Sequence, residues 1–320
     1  MHEVCVIGGT GFVGGHLVPL LASRYGSSVK VLIHHRSGEP HWSKKDIQTI
    51  DGDILDSAAL KALLSPACTV INIAFLANGP RADNLHAAEN LGQTCRAIQI
   101  KRLVHLSSAA VTGRAKGNSI DERTQCVPFT QYEKTKLAVE HKLLEYATGN
   151  FEIGILRPTA IFGPGGRNLV KLATALLCTS RFTNYCRACL HGHRKMNLVH
   201  VANVVAAIEF IAFLSQPMTE EVFFVSDDEY PENNYAAVEK VLMDSLGLSS
   251  YPFAPLPLNN LLPLALLLMG RSNINANRTY DCRKIRDYGL VKPVTFTDGL
   301  RRFAQWCAHN ARQNVQNLPL

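Results

Sequence analysis

Apolar residues fall along this chain in two alternating rhythms. Short β-branched runs at Val4–Ile7, Val29–Ile33, Thr69–Ala74, Leu103–Ser107 and Ile153–Leu156 have the length and composition of buried strands. Between them, Phe12–Ser23, Asp56–Leu64, Asn84–Ile98 and Gln131–Thr148 carry apolar residues at helical spacing. This alternation predicts right-handed βαβ units, and so an α/β fold with a doubly wound parallel sheet covered on both faces. Beyond residue 165 the rhythm breaks. Helical patterns at Leu169–Leu177, Ala202–Leu214 and Tyr235–Leu246 mix with an isolated strand, Val222–Val225. A Pro/Leu-rich stretch, Pro252 to Met269, follows, and a last helix begins near Asp298. Residues 1–165 are therefore expected to form the sheet domain, completed by parts of 196–226. Residues 166–320 are expected to be mostly a smaller α/β substrate-binding cap over the carboxyl edge of the sheet, where open α/β folds bind ligands.

Composition narrows the classes. Of 320 residues, 47% are hydrophobic and 18% charged, enough apolar mass for a large core and too much for disorder. The formal net charge of +7 is spread along the chain without a Lys/Arg run. It suits an anionic substrate or a merely basic surface, and not nucleic acid. The nine cysteines are an odd number scattered through apolar segments, as expected of reduced thiols in the cytoplasm. With the first strand starting at Glu3, no signal peptide is expected. Leu261–Met269 is too short to span a bilayer and contains Pro263, so it reads as a core or interface helix rather than a transmembrane span.

Gly8-Gly9-Thr10-Gly11-Phe12-Val13-Gly14 stands directly after a strand and directly before a helix. Gly8 permits the tight turn, Gly11 lets a pyrophosphate approach the backbone, and Gly14 lets the helix pack close to the sheet. The helix start then offers N–H groups and a positive dipole end to phosphates. The domain is thus a Rossmann-type NAD(P)-binding unit. No acidic residue ends the second strand, which reads Leu32-Ile33-His34-His35-Arg36-Ser37. Arg36 and His35 facing a 2′-phosphate favour NADP over NAD, the alternative being a solvated Arg36. Asp53, with Ile54 after it, is placed to meet the adenine.

Tyr132-Glu133-Lys134-Thr135-Lys136 puts Tyr132 and Lys136 one turn apart on a predicted helix. A free tyrosine, with a pKa of about 10, is too weakly acidic to act as a base at neutral pH. A nearby ammonium and a nicotinamide cation are expected to favour the phenolate by roughly 3 units, about 4 kcal/mol. Tyr132 would then exchange a proton with a substrate hydroxyl while hydride moves to or from the nicotinamide. Ser108, after the fifth strand, can hydrogen-bond the same oxygen.

These stretches resemble the NAD-dependent epimerase/dehydratase branch of the extended short-chain dehydrogenases over nearly the whole length. Asp51-Gly52-Asp53, Leu106-Ser107-Ser108-Ala109-Ala110-Val111, Leu156-Arg157-Pro158-Thr159-Ala160-Ile161-Phe162-Gly163-Pro164-Gly165, Leu198-Val199-His200-Val201 and Asp281-Cys282-Arg283-Lys284 extend the match. The resemblance implies Ser108, rather than Ser107, as the catalytic serine with Tyr132 and Lys136, and Asn84 as a support of active-site geometry. It adds Ala74 and Pro158 to the cofactor site. For the substrate it implies Ser107, Ala109, Asn168, Arg194, Lys195 and Arg271, the last as a pyrophosphate clamp. Ala109 and Ala110 stand where family dehydratases carry an Asp-Glu pair, so dehydration is disfavoured. The likeness is strongest to nucleotide-sugar 4-epimerases and 4-ketosugar reductases of bacterial surface-polysaccharide synthesis. It implies a nucleotide-diphosphate sugar as substrate and a homodimer through a four-helix contact that includes the Tyr132 helix.

Two other enzymatic or binding classes fit less of the sequence. One is a short-chain dehydrogenase of a sterol-like or other apolar hydroxy compound, suggested by the apolar cap. The other is a non-catalytic dinucleotide sensor, which the intact Ser/Tyr/Lys set disfavours. Cys186, Cys189, His191 and His193 have zinc-ligand chemistry but lie too close together for paired knuckles. That stretch reads as a nucleotide-facing strand, and no metal is expected.

Overall fold

The computed structural model describes residues 3–316 apart from 35–41, 43–46, 257, 259–261, 269 and 271. Its strands are β1 (Val4–Ile7), β2 (Val29–Ile33), β3 (Gln48–Asp51), β4 (Thr69–Asn72), β5 (Arg102–Leu106), β6 (Ser119–Ile120), β7 (Glu152–Pro158), β8 (Ala160–Phe162), β9 (Leu198–His200), β10 (Glu220–Val225) and β11 (Thr279–Tyr280). The helices of the first half are α1 (Phe12–Tyr25), α2 (Ser57–Leu63), α3 (Arg81–Ile98) and α4 (Gln131–Ala147). Then come α5 (Val170–Cys178), α6 (Arg181–His191), α7 (Val201–Phe213), α8 (Tyr235–Ser245), α9 (Leu262–Leu268), α10 (Arg283–Asp287) and α11 (Phe296–Gln316).

Seven parallel strands run in the order β10-β7-β5-β4-β1-β2-β3. The strand order reverses between β1 and β4, the switch point at which such sheets open a ligand crevice. Because side chains alternate along a strand, Val4 and Val6 face one layer and Cys5 and Ile7 the other. The first layer packs on Leu17 and Leu21 of α1 and Val204, Ile208 and Ile211 of α7. The second packs on Leu60 and Leu63 of α2, Leu91 of α3 and Leu143 of α4. Both faces are dry, which is why the strands read as continuous apolar runs.

The second half contributes β10 to the main sheet and β9 to a two-stranded pair with β8. A third core joins Phe162 to Leu176 of α5, Val238 and Leu242 of α8, and Phe296, Leu300 and Phe303 of α11. One expectation is corrected here. The stretch containing Cys186 and Cys189 is helix α6, not a nucleotide-facing strand. The Ser180 side chain accepts from Thr183 N and starts the helix, and Gly192 at φ +46° ends it. Such local capping outweighs a family-based expectation of strand. The Leu-rich helix α9 is amphipathic: Leu262 and Leu266 are buried, whereas Leu264, Leu267 and Leu268 are exposed. Among the described residues no helix is long and apolar enough to cross a membrane.

Candidate active site

A cleft of about 1010 Å³ opens at the carboxyl ends of β1, β5 and β7. One wall is the glycine loop. Gly8 has φ +92°, and a Cβ there would meet Ala74 N at 2.7 Å, so the loop is seated directly on the turn after β4. A Cβ on Gly14 would meet Gly8 O at 2.5 Å; only glycine lets α1 approach its own loop so closely. At Gly11 the nearest atom to such a Cβ is Gly8 O at 3.4 Å, leaving the loop's outer face open. Helix α1 has no side-chain cap and no acidic residue in its first turn. These features fit a dinucleotide: uncapped N–H groups at a helix start and bare backbone for a pyrophosphate. Thr10, Gly11 and Phe12 line the cleft, while Val13 packs into the sheet core.

After β3, Asp53 Oδ2 pairs with His34 Nε2 at 3.1 Å and Asp53 Oδ1 accepts from Leu55 N. Ile54 is buried behind them. His35 and Arg36, on which the preference for NADP rests, lie outside the described residues.

The opposite wall carries the candidate reacting groups. The capping box of Thr130 and Glu133 starts α4 and fixes the position of Tyr132 at its first turn. Tyr132 keeps 45% of its surface exposed, within the cleft. The Ser108 hydroxyl lies close enough to the Tyr132 phenol to oppose its rise in pKa and accepts from Ala110 N at 3.2 Å. Lys136, one turn along α4, is buried; its Nζ donates to Leu106 O at 3.1 Å and lies 4.4 Å from the Phe75 ring centroid. Tyr132 packs edge-on against the same ring. Burial pushes the Tyr132 pKa up, and Ser108 only partly opposes it. In the protein alone desolvation wins and Tyr132 is a neutral acid; the expected phenolate rests on a nicotinamide cation beside it. Burial also pushes Lys136 down to about 8, with Glu140 opposing.

Ser107 lines the cleft, but its hydroxyl donates to Glu140, which Arg157 also grips at 2.6 Å. This explains in physical terms why Ser108 and not Ser107 is available to a ligand. Asn84 bonds Leu76 through both amide atoms, at 3.1 and 3.0 Å. It therefore holds the turn that carries Phe75 and does not reach the reacting groups itself. Ala74 sits in the same turn, its N donating to Asn72 Oδ1.

Pro158, Ala109, Asn168 and Arg194 line the cleft, with Asn168 Nδ2 donating to Ile161 O at 2.6 Å. Lys195 is not among the lining residues; its N donates to Ala276 O and it bridges to Asn234. Arg271 lies outside the described residues. Sequence reading missed His16, Arg167, Asn197 and Arg278, all on the cleft wall. Arg278 is buried, donates to Gly113 O at 2.7 Å and Ala115 O at 2.6 Å, and has an unpartnered Nε. It follows a loop that matches no motif, so no local pattern points to it. Asn197 adopts φ +49°, a strained conformation held by Asp228 Oδ2 and Arg278 O.

Known proteins resemble this chain in sequence and in fold. The chain is 29% identical over 231 residues to a 2-alkyl-3-oxoalkanoate reductase of Stenotrophomonas maltophilia, covering 66% of this chain and 65% of the relative. It is 26% identical over 324 residues to N-acetyl-alpha-D-glucosaminyl-diphospho-ditrans,octacis-undecaprenol 4-epimerase of Escherichia coli O157:H7, covering 95% of each. Its fold matches the Bordetella bronchiseptica enzyme WbmG, solved in complex with NAD and UDP. That match has a TM-score of 0.75 at 18% identity, over 97% of this chain and 96% of the other. Residues 4–223 match the model of the NAD dependent epimerase/dehydratase family, and the chain belongs to that family.

Proposed function

We propose that this protein oxidises or reduces C4 of a sugar carried on a diphosphate, in the first instance a nucleotide-diphosphate sugar, as a 4-epimerase or 4-ketosugar reductase. The observation that carries the reading is the meeting of three features in one cleft. These are the Ser108–Tyr132 hydroxyl pair, the open glycine loop, and a described lining with Arg167, Arg194 and Arg278 but no carboxylate. Such a lining favours a polyanionic diphosphate over a neutral ligand. The full-length likeness to an epimerase of a diphosphate-linked sugar supports it. Homodimerisation through the α3–α4 pair belongs to the same proposal.

The residues from Gly8 to Gly14, with Asp53, Ala74, Lys136 and Pro158, would hold the dinucleotide, which when bound gives or takes hydride. The preference for NADP over NAD rests on Arg36 with His35. Tyr132, a neutral phenol at rest, donates its proton to the sugar oxygen during reduction and takes it back during oxidation. Ser108 hydrogen-bonds the same oxygen as charge grows on it. Lys136 holds a positive charge behind Tyr132. That charge is intact below about pH 8 and lost above it, since burial has brought the ammonium down to about 8. The kcat/KM for reduction is therefore expected to fall about tenfold per pH unit above that value. A profile flat to about pH 10 would remove Lys136 from this role.

A panel of UDP-, dTDP- and GDP-sugars with each dinucleotide tests the reading. Inversion at C4 without net cofactor consumption identifies an epimerase; stoichiometric consumption with a 4-keto sugar identifies a reductase. The relative that reduces 2-alkyl-3-oxoalkanoates favours a second reading, a dehydrogenase of an apolar hydroxy or keto compound. Turnover of such a ketone, with none of any diphosphate sugar, would replace the first reading by the second.

A further inference from the structure

Net charge, which reads as evenly spread when counted over the whole chain, is segregated. No Asp or Glu occurs between Glu152 and Glu209, or between Asp244 and Asp281. Those two stretches hold seven and two of the 33 Lys and Arg residues, so the rest of the chain carries a slight negative excess. The same stretches hold eight of the twelve exposed large apolar side chains among the described residues, including Phe182 at 76%, Phe253 at 74% and Leu268 at 79%. Scattered exposed leucines are ordinary; two stretches that concentrate them and contribute no carboxylate of their own are not, even with Arg157 and Arg278 buried and Glu239 of α8 bonded to Tyr251.

The fold brings these stretches to one another. Arg181 of α6 donates to Ser249 O and Ser250 O at 3.3 and 2.8 Å, and Tyr185 donates to Ala254 O at 3.2 Å. Leu258 N donates to Cys189 O at 3.1 Å. Phe253 and Leu256 are thereby held alongside α6 and its Phe182. After α9, with Leu264, Leu267 and Leu268 exposed, the chain reaches Ser272 and Asn273 on the cleft wall. Arg167, also on that wall, is followed one turn later by the exposed Lys171.

We propose that this face of the second lobe docks on an anionic lipid bilayer, with the mouth of the cleft near the lipid surface. Phe and Leu side chains enter the interface while the exposed Lys171 and Arg181 meet anionic headgroups, the pairing by which non-spanning proteins hold membranes. No described helix can cross the bilayer, so the attachment is peripheral. Resting on the proposed reaction, one consequence follows: a sugar diphosphate whose carrier is a lipid could enter the cleft without leaving the membrane.

The test is co-sedimentation of the full chain with vesicles of phosphatidylglycerol and phosphatidylcholine, and with phosphatidylcholine alone. Binding to the anionic vesicles is expected to exceed that to neutral ones by about tenfold and to weaken with salt. The double variant Phe182→Asp, Leu268→Asp is expected to lose about tenfold or more in affinity while keeping the wild-type circular dichroism and dinucleotide binding. Absent sedimentation of the wild type, equal binding to both vesicles, or a double variant that binds as well would each overturn the proposal. So would a wild-type dimer that the double variant converts to monomer, since a second copy would then cover this face. None of these readouts uses turnover, so a failed sugar assay leaves the docking result standing, and the reverse.

Discussion

Replacing Tyr132 by Phe is expected to lower kcat by about 10³, roughly 4 kcal/mol of transition-state stabilisation. Dinucleotide affinity should stay within about twofold. The asymmetry follows from what the phenol touches. Its hydroxyl belongs to the cleft wall that Ser108 shares, whereas its ring packs edge-on against Phe75 at 5.3 Å. Phe keeps the ring contact and removes only the proton that moves. Since Tyr132 is nearly half exposed, the fold loses little. Equilibrium titration of dinucleotide and single-turnover kinetics together separate the two effects. A variant that still turns over at a tenth of the normal rate would show that the proton comes from elsewhere, and the catalytic assignment of Tyr132 would fall.

Candidate residues set by local pattern were legible in the sequence. The glycine loop needs only three glycines in the right places between strand and helix, and Tyr132 and Lys136 need only helical spacing. The parallel sheet was legible for the same reason: strands dry on both faces must be apolar throughout, and Val4–Ile7 and Thr69–Asn72 are fully buried. What depended on distant chain was not legible. Arg278 reaches the cleft because its guanidinium bonds carbonyls about 165 residues away in sequence. Ser107 looks as available as Ser108 until Glu140 is seen to hold its hydroxyl. The rise in the Tyr132 pKa in the protein alone was not legible, because desolvation depends on three-dimensional burial, which neighbours in sequence do not report. The second lobe was harder still. Helix α6 is set by a serine cap and a terminal glycine, local signals that the family expectation of a strand hid.

The largest expected effect on stability lies one helical turn beyond Lys136, at Glu140. Its carboxylate is 1% exposed and joins three elements: the Ser107 hydroxyl at the end of β5, Arg157 of β7 through Nε and Nη2, and α4 itself. Glu140→Ala would leave the Arg157 guanidinium, itself 7% exposed, buried without a counter-charge. Removing one partner of such a pair costs about 3–5 kcal/mol, more than the pair contributes in net terms, because the remaining charge cannot regain water. For a chain of this size that corresponds to a fall in Tm on the order of 10 °C. Glu145, on the same helix, pairs with Lys142 at 2.8 Å but is 63% exposed. Solvent screens that pair, so Glu145→Ala should leave Tm within about 1 °C of the wild type. Glu140 also opposes the burial that lowers Lys136. Removing it should therefore move the alkaline limb of the reduction profile below about pH 8 in whatever fraction stays folded. Calorimetry of the two variants, followed by a pH series at a temperature where both are folded, separates the structural role from the electrostatic one. Equal Tm values for Glu140→Ala and Glu145→Ala would mean that water reaches Arg157, and the buried linkage between helix and sheet would have to be abandoned.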